Sequence, residues 1–316
     1  WDKKFYVGDD SGAISCYSAT DGRKLWSFKS DMRIIGTPAA DKNVVVFGSA
    51  DMNIYGLNAS NGRLLWKINT EAPVLGAVTI RNGIAYIGGS AIDIKSGTVV
   101  WSYDGVEGYI ETKPLVYDNL VIFGAWDKNL YALDKKTGKE VWKWHEGKPG
   151  RFYSAAAVWP VAANGKVFIA DPERALTAID ASTGKTVWRT KESMVRETVG
   201  LSEDKRRIYS KTMNDSVVCY SATTDFPEKI WASNVGFGYE HAPSMPVEKE
   251  GVVFGSTKNG LMFGLDAHTG KVLWKHKVGN SLISTLVPLS KNKCLFTATG
   301  GEIGLLVIDY KINKHK

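Results

Sequence analysis

One short pattern recurs seven times in this chain of 316 residues. It reads CYSATDGRKLW at 16–26, GLNASNGRLLW at 56–66, AIDIKSGTVVW at 91–101, ALDKKTGKEVW at 132–142, AIDASTGKTVW at 178–188 and GLDAHTGKVLW at 264–274, with a longer form, CYSATTDFPEKIW, at 219–231. The closing tryptophans, Trp26, Trp66, Trp101, Trp142, Trp188, Trp231 and Trp274, lie 35 to 46 residues apart. A repeat of about 40–45 residues is the length of one four-stranded propeller blade. Each copy alternates like a strand, turns at a Gly preceded by Thr, Ser, Asn or Asp, and ends on Trp. Glycine supplies the positive φ that a tight turn needs, the earlier Asp can accept hydrogen bonds from turn amides, and Trp offers a large flat surface to bury against a neighbour.

A second β-rich run precedes each copy and ends in a small residue: FYVG (5–8), VVVFG (44–48), IAYIGG (84–89), LVIFG (120–124), KVFIA (166–170), RIYS (207–210), VVFG (252–255) and CLFTATG (294–300). Earlier still stand IIGTPAAD (34–41), ETKPLVY (111–117) and LISTLVPL (282–289). With the strands of a blade labelled A to D, the tally is eight B, eight C, seven A and seven D. The expected fold is all-β, an eight-bladed propeller of four-stranded antiparallel blades, with a seven-bladed ring as the alternative. The expected modules are about 1–28, 29–68, 69–103, 104–146, 147–191, 192–234, 235–277 and 278–316 of one domain. Aligning WDKKFYVG with YDNLVIFG starts the sequence in mid-blade, so an upstream segment is expected to supply the missing D and A strands. Blade 3 joins B to C through IGGSAID with almost no loop.

At 44% hydrophobic and 23% charged residues the composition is that of a globular domain, and no apolar run reaches membrane-spanning length. WDKKFYVGDD lacks the apolar core of a signal peptide, so the leader of an exported protein would lie outside this sequence. The net charge of +7 is spread over turns such as DGRK, NGR and TGK, which argues against a nucleic-acid patch. Cys16, Cys219 and Cys294 lie far apart, and Cys16 and Cys219 occupy the place of Ala132 and Ala178, as small buried hydrophobes would. The five histidines show no metal-binding spacing, and DDSG (9–12) and NDS (214–216) read as turns, so no metal is expected.

The AxDxxTGKxxW pattern resembles the tryptophan-docking motif of pyrroloquinoline-quinone-like (PQQ-like) repeat propellers, a group that includes quinoprotein dehydrogenases and BamB-like non-catalytic assembly lipoproteins. The resemblance covers nearly the whole chain. It implies a non-catalytic binding or scaffold propeller of the bacterial envelope, periplasmic or at the cell surface, that presents loops to a protein, peptide or glycan. A quinoprotein oxidoreductase is the alternative; such enzymes carry longer loops and in many cases an adjacent Cys-Cys pair, which this chain lacks, so neither PQQ nor calcium is expected. A third reading makes the propeller an accessory or sensor domain of a larger enzyme, such as a phosphoesterase or kinase fusion.

In an up-and-down blade the D-to-A and B-to-C loops share one face, and the innermost strand is A. The segments opening each A strand would bring Arg33, Tyr109, Glu111, Arg151, Tyr153, Arg196, Glu197, Tyr239, Glu240 and His241 to the channel rim, with Trp126 and Trp144 near the same face. Forked donors and flat aromatic faces suit an anionic or carbohydrate ligand. The plainer alternative is that these side chains satisfy one another across a water-filled pore.

Overall fold

The computed structural model describes residues 3–145, 159–171, 173–196 and 199–310. The chain divides into two compact units, Trp1–Ala157 and Val158–Lys316. In the first, blade 1 is β1 (Lys4–Gly8), β2 (Ala13–Ser18) and β3 (Lys24–Lys29). Blade 2 is β4 (Ala39–Asp41), β5 (Val44–Ser49), β6 (Asn53–Asn58) and β7 (Leu64–Asn69); blade 3 is β8 (Thr79–Arg81), β9 (Ile84–Ile87), β10 (Ser90–Asp93) and β11 (Val99–Ser102). Blade 4 is β12 (Leu115–Tyr117), β13 (Leu120–Gly124), β14 (Leu130–Asp134) and β15 (Glu140–Trp144).

In the second unit, blade 5 is β16 (Val161–Ala163), β17 (Lys166–Ala170), β18 (Leu176–Asp180) and β19 (Thr186–Thr190). Blade 6 is β20 (Gly200–Leu201), β21 (Arg207–Lys211), β22 (Asn214–Ser221) and β23 (Lys229–Tyr239). Blade 7 is β24 (Val247–Lys249), β25 (Val252–Ser256), β26 (Leu261–Asp266) and β27 (Val272–Lys277), and blade 8 is β28 (Val287–Ser290), β29 (Lys293–Thr297) and β30 (Ile303–Val307). The fold class is the all-β, eight-bladed propeller, every sheet antiparallel in simple chain order. Among the described residues six sheets have four strands, and the first and last show three, without an A and a D strand respectively.

The repeat motif makes the joint between successive blades. The Trp26, Trp66, Trp101 and Trp231 indole N–H groups donate to Ala59 O, Ile94 O, Lys135 O and Ala267 O of the next blade, at 2.8–3.2 Å. The turn glycine of that next blade lies against the same ring: a methyl on Gly62, Gly97, Gly138 or Gly270 would fall 2.6–2.7 Å from Trp26, Trp66, Trp101 or Trp231. These glycines also have φ between 71° and 75°, so both backbone and packing require the missing side chain. Within the turn, Asp134 Oδ1 accepts from Lys136 N, Thr137 N and the Thr137 hydroxyl at 2.8–3.1 Å, and Asp180 and Asp266 repeat the pattern. Asn58 does the same for Ser60 N and Asn61 N in blade 2.

Each motif also contains a bulge. In blade 4 the ladder goes from Ala132↔Trp142 to Leu133↔Glu140, which leaves Val141 unpaired and exposed, and the same slip recurs beside the other six tryptophans. A bulge re-aims the neighbouring side chain; here it points Trp inward toward the adjoining blade. The core therefore lies between sheets. Tyr86, Ala91 and Trp101 of blade 3 pack with Val121, Phe123, Tyr131 and Leu133 of blade 4.

Three details add to what the repeat implies. The A strands occupy only the ends of their segments, because before them the backbones of successive blades run against one another: a methyl on Gly36 would lie 2.0 Å from Gly76 O, and one on Gly76 2.8 Å from Ile110 O. The short connection in blade 3 is a two-residue hairpin, Gly88–Gly89, with both φ values positive (55° and 78°), the type I′ solution for two residues. In blade 6 the longer copy lacks the Thr-Gly turn, and the buried indole N–H of Trp188, which faces that blade through Tyr220, has no hydrogen-bond partner. The carbonyl of Ala222, which matches the acceptors used elsewhere, takes a bond from Asn164 Nδ2 instead.

Two measurements test this joint. Gly22 holds the turn position in blade 1 at φ 74° with open space around it, whereas Gly97 carries the same φ and faces Trp66. Gly22→Ala is expected to cost about 1–2 kcal/mol of backbone strain, and Gly97→Ala about 1–3 kcal/mol more from the clash; equal losses in denaturant titrations would refute the docking role. The Asp134 carboxyl is held below the usual range, chiefly by the Thr137 hydroxyl, and that of Asp180 by the Ser182 hydroxyl. Depressed folded-state values make their stabilisation complete above the unfolded value near pH 4 and lost as pH falls further. The Asp134→Asn/Asp180→Asn variant should therefore keep the fold but show a shallower fall of Tm below about pH 4.

Candidate functional site

Hydrogen bonds establish which loops share a face. On one face, each C-to-D turn is tied to the A-to-B turn of its own blade, as in Lys135 N to Asn119 O and Ala267 N to Gly251 O. On the opposite face the B-to-C loops are tied to the D-to-A segments, by Ala50 N to Arg33 O, Trp126 N to Tyr109 O and Met213 N to Met194 O. Arg33 and Tyr109 thus occupy equivalent positions in blades 2 and 4.

A second repeated carboxylate organises this face. Asp51 accepts the Tyr55 hydroxyl at 2.7 Å and Asp31 N at 3.1 Å, and Asp127 accepts the Tyr131 hydroxyl together with Glu107 N. Asp-x-Asn-x-Tyr, at 51–55 and 127–131, is therefore a loop clamp joining the B-to-C loop to the incoming D-to-A loop. In blade 5 a different carboxylate holds the B-to-C loop: Asp171 in DPER, fully buried, accepts Glu173 N, Ala175 N, the Thr177 hydroxyl and Arg189 Nε, while Glu173 pairs with Arg189 and Lys191. DDSG is a turn, as expected, with Asp9 Oδ1 accepting Ser11 N and Ala13 N, whereas NDS is not: it opens β22 with a bulge at Asp215, which accepts Gly238 N. Among the described residues no group of three or more His, Cys, Asp or Glu is placed to hold a metal ion.

The expected rim residues fall into two groups. In the first unit, Tyr109 and Trp126 are 48% and 45% exposed, Arg33 is exposed and Glu111 half-buried. Trp144 does not join them; its side chain is buried at the end of β15. In the second unit, Tyr239 is 51% exposed, His241 is exposed and Arg196 is half-buried. Arg151, Tyr153 and Glu197 lie outside the described residues, and Glu240, expected at the rim, is buried instead. Tyr239 ends the long D strand β23, opposite Asn214, instead of opening an A strand.

Beneath Tyr239 and His241 is a pair that the repeat does not lead one to expect. The fifth residue of the B strand is small in six blades, Gly8, Gly48, Gly124, Ala170, Ser256 and Thr297, and in blade 3 the hairpin residue Gly88 takes its place, but in blade 6 it is Lys211. In blades 1 and 2 the glycine sits against Ile34 and Val74 of the next blade. Those residues bond by N–H to Asp9 O and Ser49 O, as Glu240 N does to Met213 O. An apolar contact has become Lys211 beside Glu240, both 2% exposed, with Nζ 3.7 Å from Oε1. Lys211 also donates to Ala242 O, Ser244 Oγ and Ser256 O at 2.7–3.2 Å. Glu240 accepts Ala242 N at 2.5 Å and, from the B-to-C loop, Lys258 N at 3.0 Å. Charge is thus balanced below while the loops above are held together.

The three cysteines are fully buried in blades 1, 6 and 8, and burial raises each thiol, Cys294 to about 12. They are inert packing residues.

Removing one member of a buried pair leaves the other uncompensated, at a cost of about 3–5 kcal/mol. Glu240→Ala is expected to lose that much in urea unfolding; a loss below about 1 kcal/mol would show the pair to be solvated.

Comparison with known proteins agrees with this geometry. BamB of Moraxella catarrhalis superposes with a TM-score of 0.78 over 98% of this chain and 95% of its own, at 20% identity. Outer membrane protein assembly factor BamB of Yersinia pestis is 25% identical over 183 residues, 51% of this chain and 47% of that protein. Quinoprotein alcohol dehydrogenase PedH of Pseudomonas putida is 37% identical over 103 residues, 28% of this chain and 17% of the enzyme. The chain thus spans less than half the length of these two sequence relatives. The profile of the family described as outer membrane protein assembly factor BamB matches residues 2–90, 86–223 and 214–313, and the chain belongs to that family.

Proposed function

We propose that this protein is a non-catalytic binding propeller of the bacterial envelope, periplasmic or at the cell surface, which presents its B-to-C and D-to-A loops to an envelope protein, peptide or glycan. The observation that carries this reading is the division of labour between the two faces. The Asp, Gly and Trp of the repeat are consumed by turns and inter-blade docking, whereas Tyr109, Trp126 and Tyr239 stand half-exposed on the other face and do not repeat. Exposed aromatic side chains are the groups that dominate recognition surfaces. Membership in a family named for outer-membrane assembly supports the compartment.

The matches to quinoprotein dehydrogenases support a second reading, a quinone enzyme. What supports the first reading over this one is the sequence, which has no adjacent cysteine pair of the kind many such enzymes carry. A saturable absorbance change on adding quinone and calcium, with alcohol turnover, would favour the enzyme.

Immobilised protein challenged with solubilised envelope and with a glycan array tests the first reading. A partner retained by the wild type should be lost at least about tenfold in Tyr109→Ala/Trp126→Ala, as for hot-spot residues, and kept in Lys271→Ala, which alters the turn face. Equal capture by all three proteins would move the site away from these loops.

A further inference from the structure

The Lys211–Glu240 pair replaces a contact that the repeat makes without charge, and what it positions is specific. Glu240 Oε1 holds Ala242 N in the D-to-A segment and Oε2 holds Lys258 N in the B-to-C loop of blade 7. Tyr239, His241 and Lys258 converge above it. The Lys258 ammonium lies 4.7 Å from the centre of the Tyr239 ring and 3.4 Å from His241 Nδ1, and the two rings are 5.5 Å apart. Among the described residues neither Lys258 nor His241 forms an ion pair with a carboxylate, and the Glu240 carboxylate beneath them is engaged by Lys211 and by the two backbone N–H groups. An ammonium and an imidazole at the surface, oriented by a buried scaffold and lacking an anionic partner, form a receptor for one.

We propose that blade 7 carries an oxyanion-binding site in which Lys258 and His241 contact a carboxylate or phosphate group and Tyr239 flanks it. Lys211 and Glu240 are positioning residues for that site. The inference rests on the reading of this face as a binding face and specifies the chemistry that one part of it takes.

Titration of the whole protein with sodium acetate, sodium glucuronate and inorganic phosphate, followed by the His241 ring resonances and by calorimetry, tests it. Saturable binding is expected, weakened at least about tenfold by Lys258→Gln and by His241→Gln and unchanged in Lys271→Gln. The relative strength of the three probes distinguishes a carboxylate from a phosphate. The variant Lys211→Ser/Glu240→Ile restores the residue types of the other blades. Its Tm should match or exceed that of the wild type, since exchanging a buried ion pair for apolar packing is commonly neutral or stabilising, while anion affinity should fall as in Lys258→Gln. No saturation with any probe at tens of millimolar, or equal affinity in Lys258→Gln and wild type, would overturn the site. Undiminished affinity in the double variant would overturn the positioning role. Envelope-partner capture that persists while all three anions fail would sink this inference alone and leave the broader binding reading intact.

Discussion

Everything in this protein depends on a tryptophan being able to lie flat on the turn of the next blade. A single antiparallel sheet of three or four short strands cannot bury enough apolar surface to be stable by itself. Within each unit a sheet borrows its second wall from its successor, as blade 3 does from blade 4, and the indole supplies part of that wall together with, at Trp26, Trp66, Trp101 and Trp231, one hydrogen bond to a specific carbonyl. The glycine beneath the ring, the bulge before it and the Asp that closes the turn all serve that placement. Such a fold is stable as a row of nearest-neighbour interfaces, so its tolerance of change is set interface by interface. At blade 6, with its longer turn, the joint lacks the indole hydrogen bond of Trp188, and Trp274 likewise docks without one.

That dependence explains what could be read from the amino-acid sequence. Period, strand order and even the short outer sheets follow from residues that repeat because they make repeating contacts. The Gly88–Gly89 hairpin is legible as a missing loop. The lengths of the A strands are not, because they are set by backbones from neighbouring blades meeting at Gly36 and Gly76, a constraint on shape and not on polarity.

The candidate site was legible only in outline. Tyr109, Tyr239 and His241 stand out as polar aromatic residues in segments expected near a rim, and they are exposed there. Lys258 carries no signal of its own, since lysines are scattered over many loops. Lys211 does carry one, a long cation at a position where the seven other blades hold Gly, Ala, Ser or Thr, but it becomes visible only after the B strands are aligned by register. Trp144 misled in the opposite sense: a tryptophan outside the docking series looks available, yet it stands two residues after Trp142 and shares the buried face of β15.

The bulge before each tryptophan has a consequence beyond aiming the ring. The D strand is the outer margin of its sheet, and several of these margins carry apolar side chains in the open, among them Leu64, Leu65, Val99, Val100 and Val141. Flat, regular margins of that composition would invite another chain to add to them and grow a fibril. An unpaired residue in every one breaks the ladder that an incoming strand would have to follow, and the lysine or arginine after several of the tryptophans, as at Lys67, Lys143, Arg189 and Lys275, charges it. The architecture could therefore multiply its blades by duplication without multiplying its hazard of polymerisation.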